Sequence, residues 1–224
     1  MKKNGLDQEK FLDWINSHEK NVIYEIIFTT MVEETPNAAA MGVNITNESM
    51  IIIRPFTTSQ TYIGLNQTRK GVINIVTDVR VFVTTALKRE IPGFRLEYDE
   101  WFNEPILKCA DAWIKCNVKI TSKNPLRPTF LLQPISFRIN EKQSRKAWCR
   151  GDYAVLESII LATRTNQYHK SGQISDLHSK LVNLAEIVRR IAPTDDSYYQ
   201  ICIKEIFNHV KENLQILNDE RNQI

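Results

Sequence analysis

The apolar pattern of this chain changes period near residue 150, and that change limits what the chain can fold into. Before it, short β-branched runs alternate with turn residues: "NVIYEIIFTTMV", "AAAMGVNIT", "SMIIIRPF", "GVINIVTD", a run clearest at 113–121, and "TFLLQPISFRIN". Runs of this length and composition predict strands, and "EETPN" and "NES" predict the turns between the first three. Pro134 predicts a bulge or an edge position in the last run. Beyond residue 150, Ile174, Leu177, Leu181, Leu184, Val188 and Ile191 recur at spacings of three and four, which predicts an amphipathic helix stopped by Pro193. A further helix is expected from Thr194 as cap, with Asp195 and Asp196 in its first turn and a stripe of Ile203, Ile206, Val210, Leu214 and Leu217. Residues 151–168 predict another helix. The expected architecture is α+β: a small antiparallel barrel of around six strands over 1–144 and a small helical C-terminal domain over 145–224.

Three helices are expected within the strand-rich part. The first spans 7–19, with Phe11, Leu12, Trp14 and Ile15 as its buried stripe. The second lies in "TTSQTYIGLNQTRKG", capped by its hydroxyl residues and ended by Gly71. The third starts near Asp78 and ends before Pro92.

Composition removes several function classes. The net charge is +3 with acids interleaved among bases, and no basic stripe carries aromatics, so nucleic acid is not the expected partner. The N-terminus lacks the apolar core of a secretion signal, and no run approaches the roughly 20 apolar residues of a membrane helix, so a cytoplasmic protein is expected. Cys109, Cys116, Cys149 and Cys202 form no C-x-x-C pair and the histidines are scattered, which predicts reduced thiols and no metal site. No general acid or base stands out, which favours hydride or electron transfer over hydrolysis.

The stretch "TPNAAAMGV" is informative because small side chains let another body approach the backbone. Ala38, Ala39 and Ala40 could form a shelf for a flat ring. The helix start at Thr57–Thr61 offers unpaired N–H groups, Ser59 and Thr61 add hydroxyls, and Arg54 adds a charge, a set suited to one phosphate. Shelf and phosphate pocket together describe a mononucleotide site. On the residues alone, packing alanines, an ordinary helix cap and a surface arginine remain an equal description.

The ordered set "EIIFTT…TPNAAAMGV…IIIRPFTTSQTYIGLNQT…GVINIVTD" resembles the DUF447 family over about residues 22–140, and 145–220 is similar to that family's helical C-terminal region. The resemblance implies an FMN-binding split barrel akin to flavin reductases and pyridoxamine-phosphate oxidases. It places Asn37, Ala38, Ala39, Ala40, Met41 and Gly42 along the flavin ring edge and Arg54, Ser59 and Thr61 on the phosphate. Thr29, Thr30, Asn74, Thr77 and Asp78 would complete the pocket wall. Ala40 stands where the family usually has proline, which leaves the backbone there less stiff. The resemblance further implies a homodimer with FMN near the interface, covered by the partner's 94–103 stretch, with Trp101 and Phe102 as ring covers or as plain core anchors. It implies an FMN-dependent oxidoreductase of flavin-reductase type with a small-molecule electron donor or acceptor. The alternatives are a non-catalytic carrier of FMN or a pterin-like ring, and an assembly module with an empty pocket.

Overall fold

The computed structural model describes residues 8–21, 23–48, 50–101, 103–122, 124–141 and 149–221. Asp7, at the expected start of the first helix, and Phe102 lie outside the described residues. The chain divides into two compact units, Met1–Thr77 with Leu96–Arg145, and Asp78–Arg95 with Lys146–Ile224.

The first unit is built on a closed six-stranded antiparallel barrel. Its strands are β1 (Ile23–Val32), β2 (Thr35–Ile45), β3 (Ile51–Ile53), β4 (Lys70–Ile75), β7 (Ala112–Ser122) and β8 (Thr129–Ile139), in the order β1-β2-β3-β8-β7-β4. A hairpin of β5 (Tyr98–Trp101) and β6 (Glu104–Leu107) forms a separate two-stranded sheet in the same unit. α1 (Gln8–Asn16) and α2 (Gln60–Thr68) complete it. β1 turns into β2 at Glu33 and Glu34, both at positive φ (47° and 65°), so the second strand starts at Thr35, before the alanines. Two left-handed central residues match the twist of a tight hairpin, which is why Pro36 and Asn37 lie in the strand instead of the turn.

Period-two burial follows from the register. Phe28 lies opposite Ala39 on β2 and Ile73 on β4, so all three share the inner face. Phe28, Ile45, Ile51, Ile73, Ile114 and Phe130 are completely buried there. Each such side chain contributes about 2 kcal/mol of burial, the largest stabilising term of the barrel. α2 ends at Arg69, in the left-handed conformation with φ 54°, and not at Gly71. Gly71 belongs to β4, where an added Cβ would lie 2.3 Å from Phe28 Cζ. Its missing side chain admits a core ring; it does not stop a helix. Pro134 does produce a bulge: Lys115 pairs with Ser136 and Cys116 with Pro134, leaving Ile135 as the extra residue. α1 buries Phe11 and Ile15, while Leu12 is exposed.

The second unit is helical. α3 (Val79–Leu87) is capped by Asp78, whose side chain accepts from the Arg80 N–H. The expected 151–168 helix is two helices, α4 (Arg150–Ala162) and α5 (Thr165–Lys170), parted at Thr163 and Arg164. α6 (Ile174–Ile191) spans the predicted stripe and stops before Pro193. α7 (Tyr198–Arg221) starts four residues after Thr194, because the segment from Thr194 to Ser197 forms a turn of its own, with Ser197 N donating to Thr194 O at 3.1 Å. Leu177, Leu181, Val188, Cys202, Ile203 and Ile206 form buried positions of this unit. Among the described residues no helix is long and apolar enough to cross a membrane, and all four cysteines are free thiols.

Candidate functional site

β2 carries small residues on both of its faces, and the pairing separates them. Ala39, opposite Phe28, points inward and makes room for that ring. Ala38 lies opposite Thr29, Ala40 opposite Ile27 and Gly42 opposite Glu25, so these three share the outer face. Ala38 is buried, whereas Ala40 and Gly42 are half-buried. Met41 returns to the inner side and packs on the core. Ala39 therefore faces the barrel interior, where it is half-buried, and does not share the outer face of Ala38, Ala40 and Gly42.

The start of α2 stands beside this strand. α2 packs on β1 through Gly64, where an added Cβ would lie 2.5 Å from the Met31 carbonyl and 2.7 Å from Thr30 Cγ2. That close approach fixes the helix start near the β1–β2 hairpin. Ser59 is the N-cap: its Oγ accepts from Tyr62 N (3.2 Å) and donates to Phe56 O (2.7 Å). The Gln60 and Thr61 N–H groups sit in the first turn, where no intrahelical carbonyl reaches them. Thr61 is 1% exposed, and its hydroxyl accepts from Asn37 Nδ2 at 3.4 Å. Among the described residues no group accepts the Thr61 proton. Arg54 enters the same segment from the end of β3, with Nε donating to Thr129 Oγ1 at 3.3 Å.

A residue that sequence reasoning missed joins them. Arg127, in the β7–β8 loop, donates from Nε to the Arg54 carbonyl (3.0 Å) and lies 4.4 Å over the Phe56 ring. The loop is held there by Thr57, whose N–H donates to Leu126 O and whose hydroxyl donates to Pro125 O, both at 3.0 Å. Nothing local in "NPLRPT" signals this placement, which comes from barrel closure.

Thr29 and Asn74 form a different group. Both are completely buried on the outer face of β1 and β4. Asn74 Nδ2 donates to Ile27 O (3.2 Å), Thr29 Oγ1 (3.0 Å) and Val72 O (3.2 Å). Asn74 Oδ1 accepts from Leu107 N at 2.8 Å, and the Thr29 hydroxyl donates to Pro105 O. These two side chains thus fasten the β5–β6 hairpin to the barrel. Thr30 donates to Lys70 O (3.0 Å), and Thr77 donates to Asp111 Oδ2 (3.0 Å). Asp78 belongs to the helical unit, where it caps α3 and grips Arg80 with contacts of 2.6–3.1 Å. That carboxylate holds the Arg80 guanidinium above its ordinary value.

The titratable groups near the barrel wall are few. Glu104 and Lys115 are 4% and 7% exposed; burial pushes the Glu104 carboxyl up and the Lys115 ammonium down. His18 packs against Trp14 and Tyr24 at centroid distances of 4.4 and 4.6 Å, and His169, His178 and His209 lie on helices of the second unit. Among the described residues no group of three metal-ligating side chains occurs.

Comparison with known proteins decides the family. The model of the N-terminal domain of the DUF447 proteins, described as of unknown function, matches residues 24–141. The chain belongs to the DUF447 family. It is similar to an FMN-bound DUF447 protein from Methanosarcina mazei, with 25% identity and a TM-score of 0.70 over 88% of this chain and 99% of that one. More distant likenesses include nitrilotriacetate monooxygenase component B from Mycobacterium thermoresistibile, at 14% identity and a TM-score of 0.46 over 62% and 79% of the two chains. Another is the flavin reductase PheA2, at 19% identity and a TM-score of 0.44 over 61% and 90%. No curated protein matches the chain in sequence.

Proposed function

We propose that this DUF447 protein binds FMN on its barrel unit and acts as an oxidoreductase of flavin-reductase type. The observation that carries the reading is the likeness to an FMN-bound DUF447 protein over most of both chains. The donor set at α2 supports it. A buried hydroxyl with no acceptor for its proton, two first-turn N–H groups and a guanidinium suit a phosphate monoester. In this reading Thr61, Arg54 and the first-turn N–H groups hold the phosphate, Ser59 keeps the helix start in place as its cap, and Asn37 orients the Thr61 hydroxyl. Ala40 and Gly42 let the ring lie against the outer face of β2, and the backbone there addresses its polar edge.

Bound FMN supplies hydride or electron transfer, which no side chain offers. The protein's own part is to grip, orient and exclude water. Thr29 and Asn74 act at one remove, by keeping the β5–β6 hairpin on the barrel wall. A homodimer is part of the proposal, since the open outer face of β2 leaves one side of a bound ring without protein cover from this strand. A small-molecule electron donor or acceptor would reach that side.

A second reading is a holder of FMN without turnover. It rests on the same phosphate grip and ring shelf, which hold FMN whether or not the flavin turns over. One experiment separates them. Purified protein reconstituted with FMN should show bound flavin absorption and should bleach with NADH or NADPH at rates above free FMN. Bound flavin that neither nucleotide reduces supports the holder; protein that retains no flavin rejects both.

A further inference from the structure

Arg54 and Arg127 share an arrangement that packing alone does not explain. Each guanidinium is fixed through Nε, Arg54 on Thr129 Oγ1 (3.3 Å) and Arg127 on the Arg54 carbonyl (3.0 Å). In both, the terminal nitrogens make no hydrogen bond among the described residues, which leaves them for bidentate recognition of an oxyanion. Phe56 supports the face of the Arg127 guanidinium at 4.4 Å, so its plane is set before any ligand arrives. Among the described residues neither arginine forms an ion pair. Two uncompensated cations are thus linked at the segment that leads into α2, whose N-terminus adds positive potential. Both are exposed, so water screens their repulsion, and both heads are accessible to an anion in solution.

We propose that Arg127 is a second guanidinium for the flavin phosphate and makes the site select a terminal phosphate monoester, FMN over both riboflavin and FAD. This rests on the FMN reading above. Two forks and a helix start match a dianionic group with three non-bridging oxygens. Riboflavin offers no anion. In FAD the corresponding phosphate is tied into a phosphoanhydride, with one charge and two such oxygens, so it offers the two forks less charge and one acceptor fewer. Sequence spacing could not pair the two arginines, which lie 73 positions apart.

The test is titration of the full chain with FMN, riboflavin and FAD, read by quenching of flavin fluorescence, in wild type, Arg127→Gln, Arg127→Lys and Arg54→Ala. Arg127→Gln should weaken FMN about tenfold, narrow the preference for FMN over FAD, and leave riboflavin within about twofold. Arg127→Lys, which keeps charge without the planar fork, should recover only part of the loss. If Arg127→Gln weakens FMN and riboflavin by the same factor, the residue only anchors the loop and the proposal fails. If Arg54→Ala removes the FMN preference and Arg127→Gln does not, the proposal fails while the FMN reading stands. If wild type binds no flavin, both fall.

Discussion

Asn74 on β4 and Thr61 at the start of α2 are both buried polar side chains of the barrel unit, 0% and 1% exposed. They differ in how much of their hydrogen-bonding capacity the protein itself uses. Asn74 donates to three acceptors and accepts from Leu107 N, so it is complete without a ligand. Thr61 only accepts, from Asn37 at 3.4 Å, and its proton has no described acceptor. A saturated buried group reports on how the fold is held; an unsaturated one at a helix start reports on what the fold is open to. Stability and affinity should therefore separate between the two places.

The sharpest way to break that separation is Asn74→Ala. It strands the Leu107 N–H in a dry site and removes the amide that Ile27 O, Thr29 Oγ1 and Val72 O accept from, and should cost about 3 kcal/mol in urea unfolding. A loss below about 1 kcal/mol would mean that the network does not hold the hairpin. Next come the alanines. Ala39→Leu faces Phe28 and should destabilise the barrel by about 2 kcal/mol through overpacking. Ala40→Leu, on the outer face, should leave the unfolding midpoint close to wild type and weaken FMN about tenfold. Equal effects of the two on both measurements would deny that the strand has a core face and a ligand face. Thr61→Val, which removes only the hydroxyl, should weaken FMN by about 1 kcal/mol with little change in stability. The smallest effect is expected from Asn37→Ala, about 0.5 kcal/mol in FMN affinity, because its bond to Thr61 is long. A larger loss would put Asn37 itself on the ligand.

Local chemistry made part of this legible. Asp78 and Ser59 were readable as caps because a short acceptor side chain precedes each helix, and Pro134 as a bulge because proline cannot donate to a ladder. Gly71 was misread because glycine ends helices and also admits neighbouring rings, and only the register of β4 against β1 shows which applies. The β5–β6 hairpin was not read as strands: "YDEW" has little β-branched content, and its turn uses Asn103 at φ 62° in place of glycine. The alanine triplet was legible as a place of close approach, but its division between two faces follows from pairing with β1. Arg127 gave no signal at all, since a lone arginine between prolines gains meaning only when barrel closure brings it to Arg54.

The central claim, that the start of α2 grips the flavin phosphate, is tested most directly by comparing FMN with riboflavin in wild type and in Arg54→Ala/Thr61→Ala. The account predicts that wild type prefers FMN by at least about tenfold and that the double variant, still folded, binds the two alike. A double variant that keeps the full preference for FMN would contradict it.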